Sequence, residues 1–320
     1  MKAVARLSLA VIFAACLLLE SCFTGVESTP RIDASAVKRE RAATVTPEQL
    51  FLSDILPQPP SQWKAGKIFR VTDDRISRIF TSASDASDSL TGTNLIFQDI
   101  VPATSLTGDD AAEVRFTTED GRRYFYRING MSTAKIDTMA TLEIPFTIDM
   151  DIVRSIDGKL RGKDFYIRTS AWYDSDGVRK ENGLRHIRVL VDSVVPGDAY
   201  FPALVCFTVG DEDMRQRAGE DEHAVFMSVG TSRTATRNFD VLFSFDSPRK
   251  QHPEINDETW NLIISSKVRQ GMSRDECRLA LGAPPEVLRT PSYGGMREMW
   301  SYSDGVFLIF EDGFLTRFRL

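Results

Sequence analysis

Asp257-Glu258-Thr259-Trp260-Asn261-Leu262-Ile263-Ile264 opens the stretch whose pattern decides the fold of this chain, and that stretch runs on to Gly271-Met272-Ser273. Trp260, Ile263, Ile264 and Val268 fall at i, i+3, i+4 and i+8, one apolar stripe of a helix. Asp257 stands where an N-cap is wanted, and Gly271 suits the left-handed position that ends a helix. Ser273-Arg274-Asp275-Glu276 reads as a capping box that restarts the helix, with Met272 and Cys277 placed to staple across it. Leu281 ends this second helix, Gly282 caps it, and Pro284 and Pro285 forbid its continuation. Three strand-like runs follow: Met299-Trp300-Ser301-Tyr302, Val306-Phe307-Leu308-Ile309-Phe310 and Phe314-Leu315-Thr316-Arg317-Phe318. Between them, Ser303-Asp304-Gly305 and Glu311-Asp312-Gly313 read as three-residue hairpin loops. Trp300 with Tyr302, and Phe314 with Thr316 and Phe318, keep the period of a strand. The expectation is an ααβββ unit over residues 251–320, with Trp300 and Leu281 buried together between helix and sheet.

A helix pair feeding a three-stranded antiparallel sheet, with Gly271-Met272-Ser273 before the second helix and Leu281-Gly282-Ala283-Pro284-Pro285-Glu286 after it, resembles the BamE (SmpA/OmlA) family. That family is the small outer-membrane lipoprotein of the β-barrel assembly machinery. The resemblance implies a non-catalytic binding or scaffolding role in the envelope, with a protein partner. The family's Ile-x-Gln-Gly-Asn-like segment ahead of the first helix has no counterpart in Gln251-His252-Pro253-Glu254-Ile255-Asn256. The β-lactamase inhibitor proteins carry the same ααβββ unit in tandem, so an inhibitor of an envelope enzyme is a further reading.

The other end of the chain reads as an address. Lys2 to Arg6 is a positive n-region, and residues 7–19 are an apolar h-region of 13 residues, short of the ~20 that cross a bilayer. Leu19-Glu20-Ser21-Cys22 resembles a lipobox, which implies removal of residues 1–21 and lipid attachment at Cys22. Phe23 follows, not the Asp that holds such proteins in the inner membrane of enterobacteria, so the outer membrane is expected, facing either way. Removal of residues 1–21 takes away Lys2, Arg6 and Glu20 and leaves 37 basic against 44 acidic side chains. That balance argues against nucleic acid. Cys206 and Cys277 then read as small buried hydrophobes, with a disulfide between them as the alternative.

Between the two ends the chain is expected to be α+β but mostly β. Residues 22–61 read as a lipidated cysteine, a flexible tether and a short helix opened by Thr46-Pro47-Glu48-Gln49. Strand signals then dominate residues 62–146 and 147–250. A faint repeat relates Leu90-Thr91-Gly92 and the run to Phe97 with Leu160-Arg161-Gly162 and the run to Ile167. Two small SH3-like β modules, or one larger sandwich over residues 62–248, both fit. The second copy is longer, and its extra segment holds the strand His186-Ile187-Arg188-Val189-Leu190-Val191.

Reactive chemistry is not signposted. His186, His223 and His252 stand outside any metal spacing, and no nucleophile elbow or phosphate loop occurs, so no cofactor, metal or catalytic residue is expected. Asp174-Ser175-Asp176-Gly177 reads as a turn, and Gly210 to Glu222 as a solvated mobile loop. Aromatics are the better handle. Trp172-Tyr173 and Tyr200-Phe201 are neighbours near strand ends, where adjacent side chains face opposite ways, so one of each pair is expected at the surface. These four are the candidate partner-binding residues, for a protein surface or for a glycan or peptidoglycan ring.

Overall fold

The computed structural model describes residues 45–82, 89–104, 108–219, 221–229, 236–292 and 295–320. The lipobox and Cys22 lie outside them. Among the described residues the chain is mostly β, with three antiparallel sheets.

Thr46 opens α1 (Pro47–Leu50) with a complete capping box: its side chain accepts from Gln49 N, and the Gln49 side chain accepts from Thr46 N. Phe51 follows and packs on Phe165, Phe239 and Phe245 at centroid distances of 6.0, 4.8 and 5.1 Å. The chain then leaves to build a separate six-stranded sheet. Its strands are β1 (Ile68–Val71), β2 (Phe80–Ser82), β3 (Asn94–Thr104), β4 (Asp110–Thr117), β5 (Arg123–Asn129) and β6 (Thr147–Asp149), with α2 (Thr133–Asp137) before β6. The order is β2-β5-β4-β3-β1-β6, around a core that includes Phe69, Leu95, Val114 and Phe116.

The chain returns through α3 (Met150–Leu160), which buries Val153, Ile156 and Leu160 on one face. A second sheet follows: β7 (Asp164–Ile167), β8 (Ala171–Asp174), β9 (Lys180–Asn182), β10 (Ile187–Pro196), β11 (Ala203–Val209), β12 (His223–Met227) and β13 (Phe243–Ser244). Helices α4 (Glu212–Ala218) and α5 (Phe239–Leu242) interrupt it. The order β13-β7-β10-β11-β12-β8-β9 places the extra strand of the longer copy between β7 and β11. The repeat is therefore local. Gly92 and Gly162 both take positive φ, at 80° and 74°. Their amides donate to Val71 O and Val191 O at 2.9 and 2.8 Å. The strand each turn docks on comes before it in the first copy and after it in the second.

The segment 210–222 is not a plain loop. Asp211 caps α4 by accepting from Asp213 N and Met214 N, and acids in its first turn with arginines in its last suit the helix dipole.

After α6 (Pro248–Gln251) comes the C-terminal unit, with α7 (Asp257–Ile264), α8 (Arg274–Leu281), β14 (Glu286–Ser292), β15 (Gly295–Ser301), β16 (Phe307–Glu311) and β17 (Phe314–Arg319). Both Ser273–Glu276 capping-box bonds form, and Gly282 takes φ 87°. Four expectations change. Asn256, not Asp257, caps α7 through its side chain. The helix stops at Ile264, and Ser266 is left-handed at φ 53°. The sheet has four strands, because residues 286–292 pair along β15 despite Pro291, which an edge strand tolerates. The last hairpin is a two-residue turn: Glu311 pairs with Phe314, and Asp312 and Gly313 take φ 50° and 88°, the type I′ signature.

One buried cluster runs from Ile148 and Phe165 through Trp172, Phe207 and Trp260 to Trp300 and Leu315, so the second sheet and the C-terminal unit share a core. Trp300 is 1% exposed, whereas Leu281 is only half-buried against that cluster.

The first sheet is tied to this body by a buried charge. Lys67 Nζ donates to Asp149 Oδ1 at 2.8 Å and Asp151 Oδ2 at 2.7 Å, with its side chain 3% exposed. Asp149 also caps α3 by accepting from Asp151 N, so the lysine holds the start of that helix against β1. Lys67→Met keeps the apolar stem and strands the Asp149 carboxylate, while Asp151 keeps Arg154 at 3.2 Å. We expect it to lower the urea unfolding free energy by about 3–5 kcal/mol. A loss under about 1 kcal/mol would show that the pair is only decorative.

Candidate functional site

The aromatic pairs divide by the alternation of their strands. Trp172 points into the shared core and is 1% exposed. Its Nε1–H donates to Thr169 O at 2.8 Å, and its ring meets Phe207 edge-on at 5.1 Å. Gly183 lies on the indole so closely that a Cβ there would overlap the ring. Trp172 therefore has no surface to offer and leaves the candidate set. Tyr173 faces the other way, against Phe226 at 4.9 Å, and Phe201 joins it, both partly buried. Arg237 stacks over Tyr173 and Phe201 at 5.7 and 5.1 Å. Only Tyr200 stands free, 83% exposed, on a turn where Asp198 Oδ1 accepts from the Tyr200 and Phe201 amides.

A broader surface lies on the C-terminal sheet. Pairing aligns Leu288, Met299, Ile309 and Arg317 in one row across all four strands. Phe307 with Arg319 and Ser301 lies on one side of that row, and Arg297, Glu311 and Phe314 on the other. The opposite face carries Trp300, Leu308, Phe310 and Leu315, all buried against the helices. Glu298 also lies on that inner face. It accepts from Trp300 Nε1 and pairs with Arg274 of α8 and Arg289 of β14, each at 3.2 Å, clamping helix to sheet. A bulge at Ile309/Phe310 breaks the expected period, so Phe314 turns outward and Phe318 inward. Leu288 and Phe314 are 54% and 57% exposed. The result is an apolar patch, exposed at Leu288 and Phe314 with Ile309 only 9% exposed, rimmed by arginines and Glu311, invisible in sequence because β14 and the bulge set it.

The third feature is a cleft of about 530 Å³ where the second sheet meets α6 and α8. Arg185 and His186 form its floor. Arg185 N donates to Ile264 O at 2.9 Å. The guanidinium reaches Ser266 Oγ and Ser170 Oγ through Nε, Arg168 O at 2.9 Å and Leu281 O at 3.5 Å. Every acceptor is neutral, and burial lowers its pKa to about 10. His186 sits at φ 58°, with Nε2 2.9 Å from Leu279 O and Nδ1 buried without a partner. Burial pushes this imidazole down to about 4, helped by the charges of Arg185, Arg168 and His252. The neutral ring donates through Nε2, leaving Nδ1 as an acceptor.

Cys206 and Cys277 are both buried free thiols, and burial drives the Cys277 thiol up to about 12, so it is an inert core group. Among the described residues no helix is long and apolar enough to cross a membrane. Comparison with protein-family models, curated proteins and solved structures returned no match.

The depressed His186 has a consequence for stability. Between the ordinary 6.5 and about 4, the unfolded chain binds a proton that the folded chain refuses. Stability therefore falls as pH drops through that window, by no more than about 3 kcal/mol. His186→Gln should flatten the dependence of unfolding free energy on pH between 7 and 4 relative to wild type. Parallel profiles for the two proteins would contradict a neutral buried ring.

Proposed function

We propose that this chain is a lipid-anchored protein of the bacterial outer membrane that works by binding or scaffolding rather than by catalysis. Its C-terminal unit is read as BamE-like, carried on two β modules of SH3-like size. Cys22 is the lipidated residue in this reading. The observation that carries it is the open face of the C-terminal sheet. Exposed Leu288 and Phe314 with half-buried Met299 and Phe307, around a 9% exposed Ile309 and beside Arg297 and Glu311, have the composition of a protein interface: apolar and aromatic at the centre, charged at the rim. The arginines favour a partner with an acidic border. A hot spot of this kind costs more than about 2 kcal/mol on truncation.

The test is a photo-crosslinking amino acid at position 288 or 314 in intact cells. We expect one dominant protein adduct, lost on Leu288→Asp with Phe314→Asp. Cys22→Ala should release the chain from membranes and abolish the adduct. Crosslinking at neither position would remove this face from the proposal, and a chain that stays on membranes after Cys22→Ala would remove the anchor.

A second reading follows from Tyr200, whose 83% exposed ring suits stacking on a sugar. Capture on purified peptidoglycan that Tyr200→Ala abolishes would favour a glycan-binding role.

A further inference from the structure

The cleft between the second sheet and α8 holds a charge arrangement that the fold leaves unfinished. Arg185 and Arg168 both line it, and Arg185 Nη1 donates to the Arg168 backbone carbonyl at 2.9 Å. Neither has a carboxylate partner among the described residues. Arg185 is met only by hydroxyl and carbonyl oxygens, and Arg168 Nη1 by the Asp240 carbonyl at 2.7 Å. Across the cleft, Arg278 is already neutralised by Asp275 at 2.9 Å. The C-terminal carbonyls of α8 offset part of the Arg185 charge, but a helix end supplies only about half a charge. Two guanidinium groups thus face one cavity with less than one compensating negative charge.

Much of the remaining lining is apolar, with Thr169, Gln251 and His252 as its polar members. Val241, Pro248, Leu279 and Ala283 give the cleft an oily wall. His186 also lines the cleft, with its Nδ1 buried and without a partner. At about 530 Å³ the space is within the range of small-molecule sites. Inorganic ions would satisfy the arginines and leave the oily wall wet.

We propose that this cleft binds a small organic anion, with a carboxylate or phosphate on Arg168 and Arg185 and an apolar body against Leu279, Pro248 and Val241. Such a ligand would bridge the second sheet and the C-terminal unit, because Arg185 and His186 are also the groups that bind the ends of α7 and α8. The two oxyanion sources are separable by experiment.

The test is isothermal titration of the detergent-solubilised full chain with hexanoate, hexyl phosphate, hexanol and inorganic phosphate, each against a detergent blank. We expect at least one of hexanoate and hexyl phosphate to bind at least 10-fold more tightly than hexanol and inorganic phosphate. The tighter of the two identifies the head group. Arg168→Gln should weaken that ligand at least 10-fold, with Arg168→Lys recovering part of the loss. Ala283→Trp changes an exposed residue at the cleft and keeps every charge, so it should block binding even if Arg168→Gln does not fold. Hexanol binding as tightly as the anions, no binding by either anion, or unchanged binding by folded Ala283→Trp would overturn the proposal.

Discussion

A guanidinium without a counter-ion holds the C-terminal unit to the rest of the molecule. Arg185 and His186 sit just before β10, an interior strand of the second sheet, and together they reach the carbonyls of Ile264, Leu279 and Leu281. These oxygens belong to the last turns of α7 and α8, where carbonyls have no helical partner and the dipole is negative. The Arg185 amide therefore closes the end of α7, while its guanidinium reaches Ser266 Oγ just beyond that helix and Leu281 O at the end of α8. The left-handed backbone at His186 aims the imidazole at Leu279 while its amide still bonds Ile167. Such a joint is sensitive: losing one partner leaves a buried charge or buried carbonyls unsatisfied.

That joint explains why the buried cluster does not stop where the sequence changes character near residue 250. Trp260, Ile263 and Cys277 pack into the same core as Phe207 and Val189. The N-terminal residues Phe51 and Ile55 enter it as well, before the chain departs for the first sheet. Seen along the chain, residues 68–149 leave the larger body and return to it. Lys67 marks the departure and Asp149 and Asp151 the return, and both carboxylates meet the buried ammonium. A separate core around Phe116 serves the first sheet alone.

Local chemistry was legible in the sequence wherever a few adjacent residues decide the backbone. Both capping boxes, at Thr46 and Ser273, were readable because their partners lie three residues apart. Helix α3 was missed: Val153, Ile156 and Leu160 have helical spacing, but strand signals on both sides masked it. Strand β14 was hidden by Pro291 and by the absence of alternation in an exposed edge strand. Period alone could not choose which of Trp172 and Tyr173 turns inward. Gly183, pressed on the indole, held that information, but it lies 11 residues away. The cleft was the least legible of all, since Arg168, Arg185 and Arg278 come together only through long-range packing.

Native-state hydrogen exchange on the full chain and on Arg185→Met weighs this joint most directly. If the second sheet and the C-terminal unit are one cooperative body, amides of β10 and β11 and those of α7, α8 and β16 open with the same free energy. Arg185→Met should then lower both sets together. Faster exchange confined to α7, α8 and β16, with β10 and β11 unchanged, would show two independently folding units that merely touch.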